Sequence, residues 1–76
     1  MNAYLQNIAR NIRQFNACEM HKAVRLELFF SFKTSEYILK DHAKGLGQDV
    51  VKRSRSFAAI SEAAELFCDR PIRLAA

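Results

Sequence analysis

Cys18, His21, His42 and Cys68 are the side chains here whose types suit zinc ligation or nucleophilic catalysis. Zinc collects thiolates and imidazoles in tetrahedral sets, usually with ligands paired a few residues apart. Only Cys18 and His21 are close in sequence, and their spacing fits no finger or ribbon. As nucleophile and base, the same two lack a third group to orient the imidazole. All four are read as buried or incidental residues, so neither a metal nor a cofactor is expected. Glu62, Glu65 and Asp69 fall at i, i+3 and i+7 and line one face of a helix. They have no histidine or metal partner for acid–base work. They are expected to form a solvated stripe or, alternatively, a docking strip for a protein partner. Lys44-Gly45-Leu46-Gly47 superficially suggests a phosphate loop. Such a loop follows a strand and opens a helix, whereas these glycines are read as closing one. No catalytic set converges, and the chain is not expected to be an enzyme.

The run Lys52-Arg53-Ser54-Arg55 is the strongest functional candidate. Three cations in one connector suit phosphate contacts, and equally suit a solvated surface. The chain's 12 Lys+Arg against 8 Asp+Glu, for a net charge of +4, serve either purpose. Phe29 is the apolar exception on the polar face of an alternating segment. It is expected either to lie under the N-terminal helix or to anchor a partner, since aromatic residues are enriched at interaction surfaces.

These residues must be positioned by one small domain, residues 1–76. Half of the 76 residues are hydrophobic, with 2 Gly and 1 Pro, a composition that excludes a chiefly disordered chain. No apolar run approaches the ~20 residues of a membrane span. MNAYLQNIAR has no secretory character, and two cysteines do not make a disulfide framework, so a reducing cytoplasmic setting is expected. Leu5, Ile8, Ile12 and Phe15 recur at helical spacing and predict a helix over 2–17. Residues 23–33 alternate, with Val24, Leu26, Leu28, Phe30 and Phe32 on one side, and predict a strand. A helix is expected over 35–45, capped by Thr34 or Ser35 and ended by Gly45 and Gly47. Another is expected over 55–69, with Pro71 blocking further extension. The fold class is α+β, in the order helix, strand, helix, helix; the alternative is an all-α bundle.

A single strand leaves its main chain unpaired, which predicts a homodimer sharing a two-stranded antiparallel ribbon. The pattern of a strand over 24–33, a helix over 35–46, a turn at Gly47 and a helix over 54–67 resembles the ribbon-helix-helix DNA-binding family. The resemblance implies a ribbon in the DNA major groove, with Phe29, Ser31 and Lys33 toward base edges and Arg25 and Glu27 further out. It places Ser54 and Ser56 on phosphate at the start of the last helix, with Lys52, Arg53 and Arg55 adding general attraction. The function expected is a non-enzymatic DNA-binding repressor or antitoxin-like regulator. The alternative is a protein-binding adaptor or inhibitor using Phe29 or the Glu62, Glu65 and Asp69 stripe. The ending Arg73-Leu74-Ala75-Ala76 is similar to the Leu-Ala-Ala end of bacterial degradation tags, a hint of a short-lived bacterial or phage regulator.

Overall fold

The computed structural model describes residues 2–44 and 49–75, with side chains over 3–44 and 49–68. Two helices, α1 (Asn2–Ala17) and α2 (Glu19–Ala23), lead into three strands, β1 (Leu26–Ser31), β2 (Glu36–Asp41) and β3 (Val50–Ser54). A long helix, α3 (Phe57–Ala75), follows. The architecture is α+β, with one antiparallel sheet in the order β1-β2-β3.

Strand alternation divides the sheet into two unlike faces. Leu26, Leu28 and Phe30 of β1 join Tyr37 and Leu39 of β2 on the face that receives Ile8 and Phe15 of α1 and Ile60, Ala64 and Cys68 of α3. Leu39 and Ile60 are fully buried at the centre of this layer. Glu27, Phe29, Ser31, Glu36, Ile38 and Lys40 point the other way, and both long helices pack on the core side.

The segment expected to be a helix over 35–45 is instead strand β2. Thr34 and Ser35 are not helix caps; they belong to the four-residue turn between β1 and β2, where Ser35 takes a positive φ of 57°. The inward positions of β2 are Tyr37, Leu39 and Asp41, and Asp41 is only 3% exposed. Its burial is supported by main-chain groups. Its carboxylate accepts from Ala43 N at 2.9 Å, and its own N–H donates to Asp49 O at 2.7 Å. A carboxylate in a core position hides the alternation that marks a strand. Gly45 and Gly47, expected to end a helix, lie outside the described residues.

The basic connector is also a strand. β3 is short and almost wholly exposed, so it has no apolar alternation to announce it. Its pairing is interrupted by a bulge: Leu39 faces Lys52 and Lys40 faces Val50, leaving Val51 as the extra residue. The expected strand over 23–33 is trimmed to Leu26–Ser31, because Arg25 turns the chain with a φ of 62°. At the other end, α3 begins at Phe57 and continues through Pro71. Proline has no N–H to give the carbonyl four residues back, so the helix runs on past residue 71 with one main-chain bond missing.

The structure also changes the argument for a dimer. The mate that satisfies β1 is β2 of the same chain, paired from Leu26↔Asp41 to Ser31↔Glu36. The observed order of strand, strand, strand, helix stands where the ribbon-helix-helix resemblance implied strand, helix, helix.

Candidate nucleic-acid and partner surfaces

The Lys52-Arg53-Ser54-Arg55 run is divided by strand geometry. Lys52 pairs with Leu39 and takes the helix-side face at the sheet edge, whereas Arg53 pairs with Ile38 and takes the open face. Arg53 Nε lies 3.6 Å from Glu36 Oε1. Arg55, just past the strand, donates from Nε to Thr34 O at 3.4 Å. This contact ties the start of α3 to the β1–β2 turn that carries Lys33. Ser31 pairs with Glu36 and Ser54 with Tyr37, so both serines lie at this same end of the sheet.

Five of the seven expected nucleic-acid residues (Ser31, Lys33, Arg53, Ser54 and Arg55) therefore gather at one end. Lys52 lies farther along β3. Arg25 is at the opposite end of β1, where its carbonyl accepts from His42 N at 2.9 Å. Ser56 caps α3, its Oγ accepting from Ala59 N at 3.2 Å, and Ser54 Oγ accepts from Ser56 N at 3.0 Å. Both hydroxyl oxygens thus orient the first turn of the helix.

The partner-binding candidates occupy different layers. Phe29 projects from the open face and is 37% exposed, so α1 does not cover it. Its ring meets His42 edge-on at 6.3 Å and lies 5.2 Å from Lys40 Nζ. Around it the polar groups are engaged: Glu27 Oε1 lies 2.6 Å from His42 Nε2, and Lys40 is ion-paired with Asp49 at 3.7 Å. Val50 and Val51 extend the apolar centre at the far edge. Glu62 and Glu65 are exposed on α3, in the opposite layer, and therefore share no surface with Phe29. The side chain of Asp69 lies outside the described residues.

The four zinc-type side chains are dispersed. His21 stacks on Phe15 with centroids 3.8 Å apart, and its Nδ1 is 2.8 Å from Phe15 O. His42 is engaged by Glu27, across the sheet. Cys68 is buried, and this burial, reinforced by the neighbouring Cys18, pushes its thiol above the ordinary value. Among the described residues no three His, Cys, Asp or Glu side chains are grouped to hold a metal ion, and no helix is long and apolar enough to cross a membrane.

Three features carried no sequence signal. The free edge of β1 is closed at Leu28 by the side chain of Asn16, which accepts from Leu28 N at 2.8 Å and donates to Leu28 O at 3.1 Å. An apolar groove of about 550 Å³ runs beside it, walled by Leu5, Ile8 and Ile12 on α1 and by Phe30 and Phe32. A second, more polar cavity of about 240 Å³ opens between α1, the β1–β2 turn and the start of α3. Tyr4, Asn7, Asn11, Tyr37 and Arg55 are among its walls.

Comparison with known protein families, characterised proteins and solved structures gives no match.

Proposed function

We propose that the chain is a non-enzymatic, DNA-binding regulator of the repressor or antitoxin-like kind, holding duplex phosphates with the basic end of its sheet. The observation that carries this reading is the Arg55–Thr34 contact, which joins Lys33 and Arg55 into one cationic surface across the β1–β2 turn. Lys33, Arg53 and Arg55 against Glu36 give this end a net charge of 3 − 1 = +2. Ser31 and the start of α3 add neutral donors. The mode differs from a ribbon in the major groove: the middle of the open face is apolar and ion-paired, so contact falls on the backbone at the turn end. Two free thiols suit a reducing compartment, and the cytoplasm is the proposed location.

Fluorescence anisotropy of a labelled duplex across a salt series tests this. Three phosphate contacts give a log–log slope of about −2.7, and removing two cations with Lys33→Ala plus Arg55→Ala lowers its magnitude by about 1.8. Absent binding, or binding indifferent to salt, refutes the proposal.

A second reading has its own support in the uncovered Phe29, Ile38, Val50 and Val51 centre, which fits a protein-binding adaptor. On that reading Phe29→Ala abolishes a protein contact that Glu65→Lys leaves intact, because the two residues lie in opposite layers. Homodimerisation is proposed through the free edge of β1, where Asn16 engages Leu28 and the main-chain groups of Leu26 and Phe30 face outward on either side of it. Sedimentation of the intact chain, showing a monomer at all accessible concentrations, would remove it.

A further inference from the structure

The cavity between α1, the β1–β2 turn and the start of α3 has an unusual balance of polar groups. Tyr37 is 5% exposed, and its hydroxyl oxygen already accepts from Asn11 Nδ2 at 3.0 Å. The phenol proton must therefore be donated elsewhere, and Tyr37 lines the cavity. Asn7 Oδ1 is engaged by Arg10, which leaves its NH₂ as the free end. Arg55 spends Nε on Thr34 O, an anchor that keeps its terminal N–H groups available at the cavity wall. Among the described residues the polar lining is Tyr4, Asn7, Asn11, Ser35, Tyr37 and Arg55, which brings one cation and several donors to the space and no carboxylate. Ile8, Phe30 and Phe57 complete the walls with apolar surface. Donors that converge without a counter-charge select an anion, and guanidinium geometry suits the oxygens of a phosphate.

At about 240 Å³ the space lies just below the usual range of small-molecule pockets, which starts near 300 Å³. It suits one phosphate ester of sugar size and not a dinucleotide. We infer that this cavity is a binding site for a sugar phosphate, with Arg55 and the Tyr37 hydroxyl on the phosphate and the Ile8, Phe30 and Phe57 wall against the sugar. The same chemistry is presented by a free pentose phosphate and by the phosphorylated end of a nucleic-acid strand. The site shares Arg55 with the proposed DNA surface but does not require duplex binding.

The test is a titration of the full chain, followed by ¹H–¹⁵N correlation spectra, with ribose 5-phosphate and with ribose. Ribose 5-phosphate is expected to give saturable shifts at Ser35, Arg55 and Phe57 and at the Asn7 side-chain amide, and ribose none. Arg55→Gln weakens that binding about tenfold or more, and Tyr37→Phe, checked for folding by its own spectrum, weakens it several-fold. Shifts that fail to saturate, that ribose reproduces, or that survive Arg55→Gln overturn the inference. A 5′-phosphorylated single strand that displaces the sugar phosphate, where its 5′-hydroxyl twin does not, supports the site with a nucleic-acid end as the source. Saturable sugar-phosphate binding that neither strand displaces supports it with a free metabolite. Loss of the salt-dependent duplex interaction alone would sink only the DNA reading; loss of the ribose 5-phosphate response alone sinks only this one.

Discussion

Replacing Asn16 by alanine removes both partners of Leu28 at the free edge of β1. The side-chain amide meets Leu28 N at 2.8 Å and Leu28 O at 3.1 Å, and Leu28 is 1% exposed. A buried main-chain group left without a partner costs about 1–3 kcal/mol. The groove of about 550 Å³ beside this edge admits water once the amide is gone, so the lower end applies to each group. The expected loss is about 2 kcal/mol, a large fraction of a small domain's stability. At about 4–8 °C per kcal/mol for a chain of this size, Tm falls by about 8–16 °C. Urea and thermal unfolding measure it directly, with an unchanged urea slope expected because the native fold persists. Asn16→Asp supplies a signed control. A carboxylate accepts from Leu28 N but repels Leu28 O, whereas the protonated acid satisfies both. The folded state therefore raises the pKa of that aspartate above its unfolded value near 3.9. The stabilisation is full below the unfolded pKa and is lost as pH rises through the folded one, so the variant approaches the parent only in acid. An Asn16→Ala protein within about 0.5 kcal/mol of the parent would refute edge closure by this side chain.

Other perturbations follow from the same geometry. Leu39→Ala, at a position with 0% exposure in the central strand, is expected to cost about 3 kcal/mol in urea unfolding. Alkylation with iodoacetamide should modify Cys18 well before Cys68, as mass mapping would read out, because burial and the neighbouring Cys18 raise the Cys68 thiol. Burial penalises the Cys68 thiolate, so the parent loses stability as pH climbs from the unfolded thiol pKa through the raised folded value; Cys68→Ser, with no thiol to ionise, should show a smaller fall in stability between neutral and alkaline pH than the parent. Arg25→Gly relieves a left-handed residue at φ 62° and should change stability by no more than about 1 kcal/mol in either direction, strain relief opposing the entropy of glycine.

What the sequence disclosed follows the strength of its periodicities. Leu5, Ile8, Ile12 and Phe15 announce α1, and Leu26, Leu28 and Phe30 announce β1, because each set places its apolar side chains on one face. β2 escaped because its inward set ends in Asp41, whose carboxylate is held by a local main-chain N–H that no spacing rule anticipates. β3 escaped for the opposite reason: an exposed edge strand of Val, Lys and Arg has no buried side to reveal. Without those two strands, β1 looked solitary and a second copy looked obligatory. The candidate site was legible in composition but not in arrangement. The convergence of Lys33 with Arg55 depends on the β1–β2 hairpin, whose second strand occupies a segment where the spacing predicts a helix. The contribution of Tyr37 depends on the burial that accompanies it.

The strands are neighbours in space in the same order as they are neighbours in sequence. Each pairing step therefore closes a short loop, with a modest entropic barrier to overcome before its contacts form. Such a meander can zip from one hairpin to the next without a distant segment having to arrive first. The expected kinetic signature is single-exponential refolding in the range typical of mixed α/β domains, faster than β-sandwiches that must assemble from remote strands.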